Sequence, residues 1–282
     1  MRLLIVSSVN ATGDTLQLEY FVGKNIPPYA ILSHTWGEGE VVFEDVKAGA
    51  ARQAIEDVYK HIWIDTCCIN KDSSAELQEA INSMYAWYQR SGICYAYLED
   101  SVPLSASRWF TRGWTLRELL APKAIHFYAK DWRKLGQLVN SPSDGLPNVN
   151  SYTTDIRSEY ATNVREEAAQ MVTTREESIA YCLLGIFGVN LPLLYGEESN
   201  AFLRLQEEIM KQADDQTLFV WAAPSSWALG NEYTGLLGSH PAFFALSGDV
   251  AFGRARFDSL PHSMTSRALE IDLLLHGAQD VR

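Results

Sequence analysis

Residues 61–99, HIWIDTCCINKDSSAELQEAINSMYAWYQRSGICYAYLE, contain two short apolar runs separated by a stretch with helical periodicity. HIWIDTCCI (61–69) and ICYAYLE (93–99) are rich in aromatic and β-branched residues and have the length of buried strands. The stretch between them opens with Ser73 in an S-x-x-E capping box and closes at Gly92. Two strands joined through a helix predict a parallel βαβ unit.

Two further apolar runs have the same character, YAILSHTW (29–36) and AIHFYA (124–129). Continuous apolar runs are typical of strands covered on both faces, as in a parallel sheet. The initial MRLLIV also fits a strand better than a signal peptide. A helical pattern, AARQAIEDVYK (50–60), lies between the first two predicted parallel strands. This alternation predicts an α/β domain over residues 1–135, with a doubly wound, mainly parallel sheet.

The composition changes after this domain. NSPSDGLPNVNSYTTD (140–155) is rich in Ser, Asn, Pro and Gly and predicts a loop. TTREESIAYCLLGIFG (173–188), with its own capping box, and ESNAFLRLQEEIMKQADD (198–215) predict helices, so residues 136–216 form an α-rich extension. The remaining residues, 217–282, contain short strand-like pieces, TLFVWAA and RALEIDLLL, and receive no role from the sequence.

Composition excludes several classes of protein. The chain has 282 residues, 47% of them hydrophobic and 11% aromatic, which excludes intrinsic disorder for most of its length. There are 23 Lys and Arg against 35 Asp and Glu, a net charge of −12, which argues against a nucleic-acid partner. No apolar run reaches the roughly 18 residues of a membrane helix. We therefore expect a cytoplasmic protein that makes no membrane span.

The four cysteines lack the spacing of a metal site or of a disulfide framework. Cys67 and Cys68 are adjacent, and in a strand they would point to opposite faces. We expect free thiols and no bound metal. The sequence also lacks G-x-S-x-G, Walker, G-x-G-x-x-G and H-E-x-x-H motifs.

Ligands of open parallel sheets bind beyond the carboxyl ends of the strands, near the switch in strand order. Ser33, His34 and Trp36 lie at or just beyond the end of one predicted strand, and Asp65 ends the apolar core of the next. Trp114 lies on the predicted helix that follows the third strand. A polar cluster with tryptophan walls would accommodate a flat heterocycle and a ribose.

The stretch SRWFTRGWTLRELLAP places Glu118 one helical turn after Trp114. A carboxylate beside an indole is costly in a dry site unless it is paired. Glu118 fits a catalytic group, a surface charge or a T-x-x-E capping box with Thr115. A helix that starts at Thr115 would be stopped by Pro122 within two turns. With Ser107 as the cap, the helix is longer and Glu118 lies in its interior.

Three blocks resemble the fungal heterokaryon-incompatibility (HET) domain: PPYAILSHTWGEGEVVFEDV, HIWIDTCCINKDSSAELQEAINSMYAWYQRSGICYAYLED and SRWFTRGWTLRELLAPKAIHFY. TTREESIAYCLLGIFGVNLPLLYGE resembles the segment that commonly follows it. The resemblance implies an effector of programmed cell death in allorecognition and fungal innate immunity. It also implies a nucleotide-binding oligomerisation and repeat sensor module, in a longer chain or in trans. The family usually has a longer connection than the one between residues 46 and 61.

The order of strands and helices, followed by S-x-W and W-x-x-x-E-L, is also similar to the Toll/interleukin-1 receptor (TIR) domain, which has a flavodoxin-like sheet. Enzymatic TIR domains use the glutamate of this motif to cleave NAD⁺ between nicotinamide and ribose. The resemblance implies that Glu118 is catalytic and that the substrate, NAD⁺ or a related nucleotide, needs no cofactor. It further implies that activity requires a homo-oligomer.

The residues expected to line the pocket are Ser33, His34, Trp36, Asp65, Arg112 and Trp114. The alternative is a non-enzymatic signalling module that recruits partners, in which Glu118 is a capping or surface residue.

Overall fold

The computed structural model describes residues 1–5, 17–35, 59–100, 107–140, 173–212, 216–222, 235–247, 263–264 and 269–270. Strands in these residues are β1 (Arg2–Ile5), β2 (Gln17–Tyr20), β3 (Ala30–His34), β4 (His61–Ile64), β5 (Ile93–Leu98), β6 (Ala124–Ala129), β7 (Lys134–Val139), β8 (Ser263–Met264) and β9 (Leu269–Glu270). The helices are α1 (Asp65–Cys68), α2 (Ser74–Arg90), α3 (Arg108–Thr111), α4 (Gly113–Leu120), α5 (Glu177–Tyr181), α6 (Leu184–Phe187) and α7 (Asn200–Gln212). Among them, no helix combines the length and apolarity needed to cross a membrane.

The central sheet has the order β2-β1-β4-β3-β5-β6-β7. β4, β3, β5 and β6 run parallel, and β1, β2 and β7 add antiparallel edges. The predicted α/β fold with a parallel sheet at its centre is confirmed. Because β4 follows β3 on one side and β5 lies on the other, the strand order switches at β3. The short strands β8 and β9 pair separately.

The apolar runs become strands because they are covered. Ala30, Ile31 and Trp63 on β3 and β4 are inaccessible to solvent, as are Cys94 and Ile125 on β5 and β6. Cross-strand neighbours of this kind stabilise a sheet that is buried on both faces. All four predicted parallel strands are therefore confirmed, and β6 has the predicted bounds.

The second predicted strand is shorter than its apolar run. β4 ends at Ile64, and Asp65–Cys68 form a single helical turn, α1. The expectation that Cys67 and Cys68 occupy opposite faces of a strand is wrong, because both belong to this buried turn. All four cysteines are buried, and none of them forms a disulfide bond.

Helix α2 confirms its sequence signals with one difference. Ser73 caps it by accepting from the amide of Glu76, but the Glu76 carboxylate accepts from Arg2 and from the Asn70 amide instead of completing the box. Gly92 follows the helix, and a Cβ there would overlap the ring of Tyr59.

The predicted helix over 173–188 is two short helices, α5 and α6. Thr174 caps neither of them, and Glu176 precedes α5 without a side-chain cap. Gly188 ends α6 in the left-handed region at φ 69°, as the sequence predicts. Helix α7 confirms the amphipathic pattern, with Leu205 and Ile209 on its buried side.

The strands predicted in residues 217–282 agree with the structure only in part. TLFVWAA begins in a 3-10 turn, Gln216–Phe219, and not in a strand. Leu269–Glu270 of the second piece do form a strand. The helix predicted over residues 50–60 lies outside the described residues except for Tyr59 and Lys60, which are not helical. The loop predicted over 140–155 also lies outside them except for Asn140.

The core has two apolar clusters that share helix α2. One surrounds the sheet, and the other joins α5, α6 and α7 to Ile81 of α2. Gly185 of α6 lies directly against Tyr85, where a Cβ would overlap the tyrosine side chain. The helical extension is therefore packed closely against the α/β domain.

Candidate active site

Three side chains form a hydrogen-bonded chain beside the carboxyl end of β3. The indole Nε1 of Trp109 donates to Oγ of Ser33 at 2.6 Å, and Oγ of Ser33 donates to Oε2 of Glu118. Trp109 and Ser33 are both about 1% exposed. An indole N–H can only donate, so Ser33 accepts this bond and keeps its hydroxyl proton available for the carboxylate of Glu118. Trp109 thus determines the direction of the first hydrogen bond and favours donation from Ser33 to the ionised form of Glu118.

A break between two short helices places the carboxylate. Ser107 caps α3 by accepting from the amide of Trp109, as one of the sequence alternatives predicts. The single long helix expected from that cap is wrong, because Arg112 has extended backbone angles and separates α3 from α4. Oγ1 of Thr115 donates to the carbonyl of Arg112 at 2.7 Å. Glu118 is therefore held in the last turn of α4, with its side chain directed to Ser33.

Thr115 and Glu118 do not form a capping box. The N-cap residue of α4 is Arg112 and not Thr115. The Thr115 hydroxyl instead donates to the backbone carbonyls of Trp109 and Arg112. Glu118 accepts from Ser33, which is 85 residues away in the sequence. The capping-box alternative for Glu118 is wrong. Helix α4 ends at Leu120, before Pro122, as the proline requires.

Burial makes Glu118 hard to ionise. Desolvation is the largest cause and raises its pKa from 4.5 to about 7, and the negative charge of Asp65 adds to this increase. The hydrogen bond from Ser33 and the positive charges of Arg117 and His34 act in the opposite direction. The side chain is half-buried, so water still reaches part of it. Glu118 is therefore poised to exchange a proton near neutral pH.

Arg117 is a buried cation next to this carboxylate. It is 2% exposed, its guanidinium lies 4.2 Å from the ring centre of Trp114, and its Nη2 donates to the sulfur of Met84 at 2.7 Å. Among the described residues its Nε has no hydrogen-bond partner. Burial lowers its pKa, and the charge of Glu118 opposes that change. Arg117 thereby supplies positive potential inside the protein without forming an ion pair with Glu118.

The structure brings together only some of the predicted site residues. Ser33 contacts Glu118 directly, and His34 and Asp65 lie within electrostatic range of it. Trp114 packs with the helical extension under the Arg117 guanidinium.

The remaining two predicted residues lie elsewhere. Arg112 forms the break between α3 and α4 and offers its backbone carbonyl to Thr115. Trp36 lies outside the described residues.

Sequence reasoning did not select Trp109 or Arg117 as members of the site. Trp109 belongs to the S-x-W motif, but its apolar neighbours made it look like an ordinary core residue. The one available signal was that a buried indole nitrogen needs an acceptor. Nothing in the local pattern distinguishes Arg117 from the exposed arginines.

The described residues contain no group of three His, Cys, Asp or Glu side chains that could hold a metal ion. The site offers instead a carboxylate with a perturbed pKa, a fixed hydroxyl donor and a buried guanidinium. The carboxylate can accept a proton or stabilise a developing positive charge, and the hydroxyl donor holds it in place. The fold and this cluster define an α/β domain with a polar site at the switch point of its sheet.

Comparison with known proteins identifies the family of this domain. Residues 29–106 match the family described as heterokaryon incompatibility protein (HET), and residues 200–234 match a domain of unknown function, DUF8212. The vegetative incompatibility protein HET-E-1 of Podospora anserina is 41% identical over 223 aligned residues. That match covers 66% of this chain and 16% of the relative. Residues 29–106 therefore belong to the HET family, as the resemblance of the sequence blocks within them predicted. No solved structure matches this chain.

Proposed function

We propose that the chain is an effector of fungal heterokaryon incompatibility that hydrolyses NAD⁺, or a related nucleotide, at the bond between nicotinamide and ribose. The observation that carries this proposal is the half-buried carboxylate of Glu118, held by Ser33 at the switch point of the sheet. The match to HET-E-1 supports the incompatibility role. The resemblance of the sequence to enzymatic TIR domains supports the reaction, and the mainly parallel sheet is compatible with it.

The reaction suits a site with one carboxylate. The bond between C1′ of the ribose and the nicotinamide nitrogen breaks, and its electron pair stays with the nitrogen. Nicotinamide leaves as a neutral molecule, so no general acid is needed. Water adds to C1′ and releases a proton, which gives nicotinamide, ADP-ribose and H⁺.

Glu118 serves this reaction in its ionised form. A carboxylate beside the ribose stabilises the oxocarbenium-like transition state, and it can also accept the proton of the attacking water. A pKa of about 7 makes Glu118 a better base at neutral pH than an ordinary glutamate, while a large fraction remains ionised. We expect the rate to rise with pH through this range.

Ser33 and Trp109 are positioning residues in this proposal. Their hydrogen bonds hold Oε2 of Glu118 and leave its other carboxylate oxygen available for the substrate. A catalytic group whose orientation is fixed before substrate binds does not have to be ordered during the reaction.

Activity is proposed to require self-association, as the TIR resemblance implies. The proposed partners are further copies of this chain and a nucleotide-binding oligomerisation and repeat sensor module. The relative matched here is much longer than the aligned region, which leaves room for such a module in that protein.

One observation favours the alternative of a recruiting module. Phe187, Leu194 and Tyr195, in the helical extension, are between 40% and 52% exposed. Exposed apolar side chains can contribute to a surface that binds another protein. In that case Glu118 would be dispensable for cell death.

The experiment measures NAD⁺ consumption and nicotinamide release by the full chain at high protein concentration, with Glu118→Gln beside it. Glu207→Gln is the matched control, because Glu207 is exposed on α7. We expect Glu118→Gln to lose about a hundredfold or more of the rate, and Glu207→Gln to lose none. Equal rates in all three proteins, or toxicity that persists in a folded Glu118→Gln variant, would reject the enzymatic proposal.

A further inference from the structure

The turn between β6 and β7 carries a tryptophan on the surface. Trp132 is 39% exposed, and its amide donates to the carbonyl of Ala129 at 2.8 Å to close the turn. Its φ is 60°, in the left-handed region that favours glycine. A bulky residue there costs roughly 1–2 kcal/mol of backbone free energy. The backbone of the turn therefore does not explain why a tryptophan occupies this position.

The indole is held in place by two tyrosines of the sheet. The ring of Trp132 lies 4.9 Å from the ring of Tyr97, at an angle of 36°, and 5.9 Å from that of Tyr128. The Tyr97 hydroxyl donates to the carbonyl of Lys130 at 3.2 Å, which ties the turn to β5. One side of the indole thus rests on aromatic rings, and the exposed part remains for another flat molecule.

This aromatic surface lies at the same edge of the sheet as Glu118. Tyr97 pairs with His34, the last residue of β3, and Ser33 pairs with Ala96. Side chains alternate along a strand, so Tyr97 and His34 lie on the face opposite Ser33 and Glu118. Paired strands are about 4.8 Å apart. A ligand that crosses the carboxyl edge at the switch point can therefore contact both faces.

Exposed cations flank Trp132 in the sequence. Lys130, Arg133 and Lys134 all lie in or beside the turn, in a chain whose net charge is −12. Lys130 is 4.0 Å from Glu99, and Arg133 is 3.7 Å from Asp131. Exposed ion pairs of this length contribute little free energy, so both cations can turn to a phosphate group.

We propose that Trp132 and Tyr97 form a stacking subsite for the adenine base of a dinucleotide, with Lys130 and Arg133 contacting its phosphates and the ribose to be cleaved at Glu118. This inference rests on the proposed function, because it assigns the second half of the same substrate. Bases stack on aromatic side chains regardless of base identity. Stacking on these two rings does not select adenine over other bases, so a preference for adenine would come from contacts with other residues.

The test measures binding of ADP to the full chain by calorimetry, which does not depend on catalysis. Trp132→Gly removes the ring and suits the left-handed backbone, so the turn should remain folded. Trp132→Phe keeps a ring. Tyr20→Ala removes an exposed aromatic side chain from β2, at the far edge of the sheet. Inorganic pyrophosphate serves as the probe without a base.

We expect Trp132→Gly to weaken ADP binding by about 5-fold to 150-fold, the equivalent of 1–3 kcal/mol of stacking. Trp132→Phe should weaken it less, Tyr20→Ala should not change it, and pyrophosphate should bind Trp132→Gly as it binds the unchanged chain. For NAD⁺ cleavage, Trp132→Gly should raise KM and leave kcat nearly unchanged.

The outcomes separate this inference from the proposed function. ADP binding that needs Trp132, in a chain that does not cleave NAD⁺, would support the subsite and reject the hydrolase. NAD⁺ cleavage with an unchanged KM in Trp132→Gly would support the hydrolase and overturn the subsite. Absence of ADP binding to the unchanged chain, or equal binding to Trp132→Gly, would also overturn it.

Discussion

Replacing Glu118 by glutamine should stabilise the protein at alkaline pH. The pKa of Glu118 is about 7 in the folded chain, against 4.5 for an ordinary glutamate. Above pH 7 the folded protein must carry a poorly solvated charge, whereas the unfolded chain carries it in water. Glutamine has nearly the same shape, its amide oxygen can still accept from Ser33, and it has no charge to bury.

The sign and size of the effect follow from proton linkage. Between pH 4.5 and pH 7 the folded chain holds a proton at Glu118 that the unfolded chain has lost, so stability falls as pH rises. Each unit of pKa difference corresponds to about 1.4 kcal/mol. From pH 5 to pH 8 the unchanged chain should lose roughly 2 kcal/mol relative to Glu118→Gln, allowing for the part of the side chain that water reaches.

Urea unfolding of both proteins at pH 5, 6, 7 and 8 measures this difference, with Glu207→Gln as the control. The free energies of unfolding should be similar at pH 5 and should diverge through pH 7. Glu207→Gln should follow the unchanged chain at every pH, because Glu207 is exposed. Parallel curves for the unchanged chain and Glu118→Gln would refute the reasoning, since they would show that Glu118 titrates normally in the fold.

Three further predictions concern other parts of the structure. Trp109→Phe removes the hydrogen-bond donor to Ser33 and should lower kcat about tenfold, with KM nearly unchanged. The pH–rate profile should also change, and an unchanged profile would contradict a positioning role for Trp109. Gly185→Ala should lower the free energy of unfolding by about 1–3 kcal/mol, because its Cβ would overlap Tyr85, and an unchanged urea midpoint would contradict that close packing. Burial raises the pKa of Cys182 to about 12, so its thiol should resist a disulfide reagent in the native protein and react in urea; rapid native labelling would contradict the assigned burial.

The proposed catalytic role of Glu118 implies a cost in stability, and the experiments above measure both activity and stability. A carboxylate with a raised pKa destabilises the fold at the pH where its ionised form would act. Loss of activity together with gain of stability in Glu118→Gln is the pattern expected of a functional site. If Glu118 served only the fold, replacing it would lower the free energy of unfolding of the protein.

Elements defined by local patterns were predictable. Strands β3, β5 and β6 follow from apolar runs, and α2 follows from its periodicity and the Ser73 cap. The stop of α6 at Gly188 follows from the freedom of glycine to adopt the left-handed region. These features depend on neighbours within about one turn of helix or a few residues of strand.

Breaks inside apolar or helical patterns were not predictable. The turn α1 interrupts the run after Ile64, and the extended backbone of Arg112 divides α3 from α4. Thr115 satisfies the carbonyl of Arg112 at that break. Beside the second break, Trp109 and Glu118 both contact Ser33 of β3, which is far away in the sequence, while the local sequence also favours a continuous element.

The sequence by itself determined that a parallel α/β sheet forms and that Ser33, Asp65 and Glu118 lie near its carboxyl edge. It did so because buried strands and capped helices have local signatures and because parallel strands end at one edge. Only the tertiary structure decided that Trp109 holds Ser33 and that Ser33 holds Glu118, across separations of 76 and 85 residues. The pKa of Glu118 follows from those contacts and from burial, and both depend on packing that no local pattern specifies.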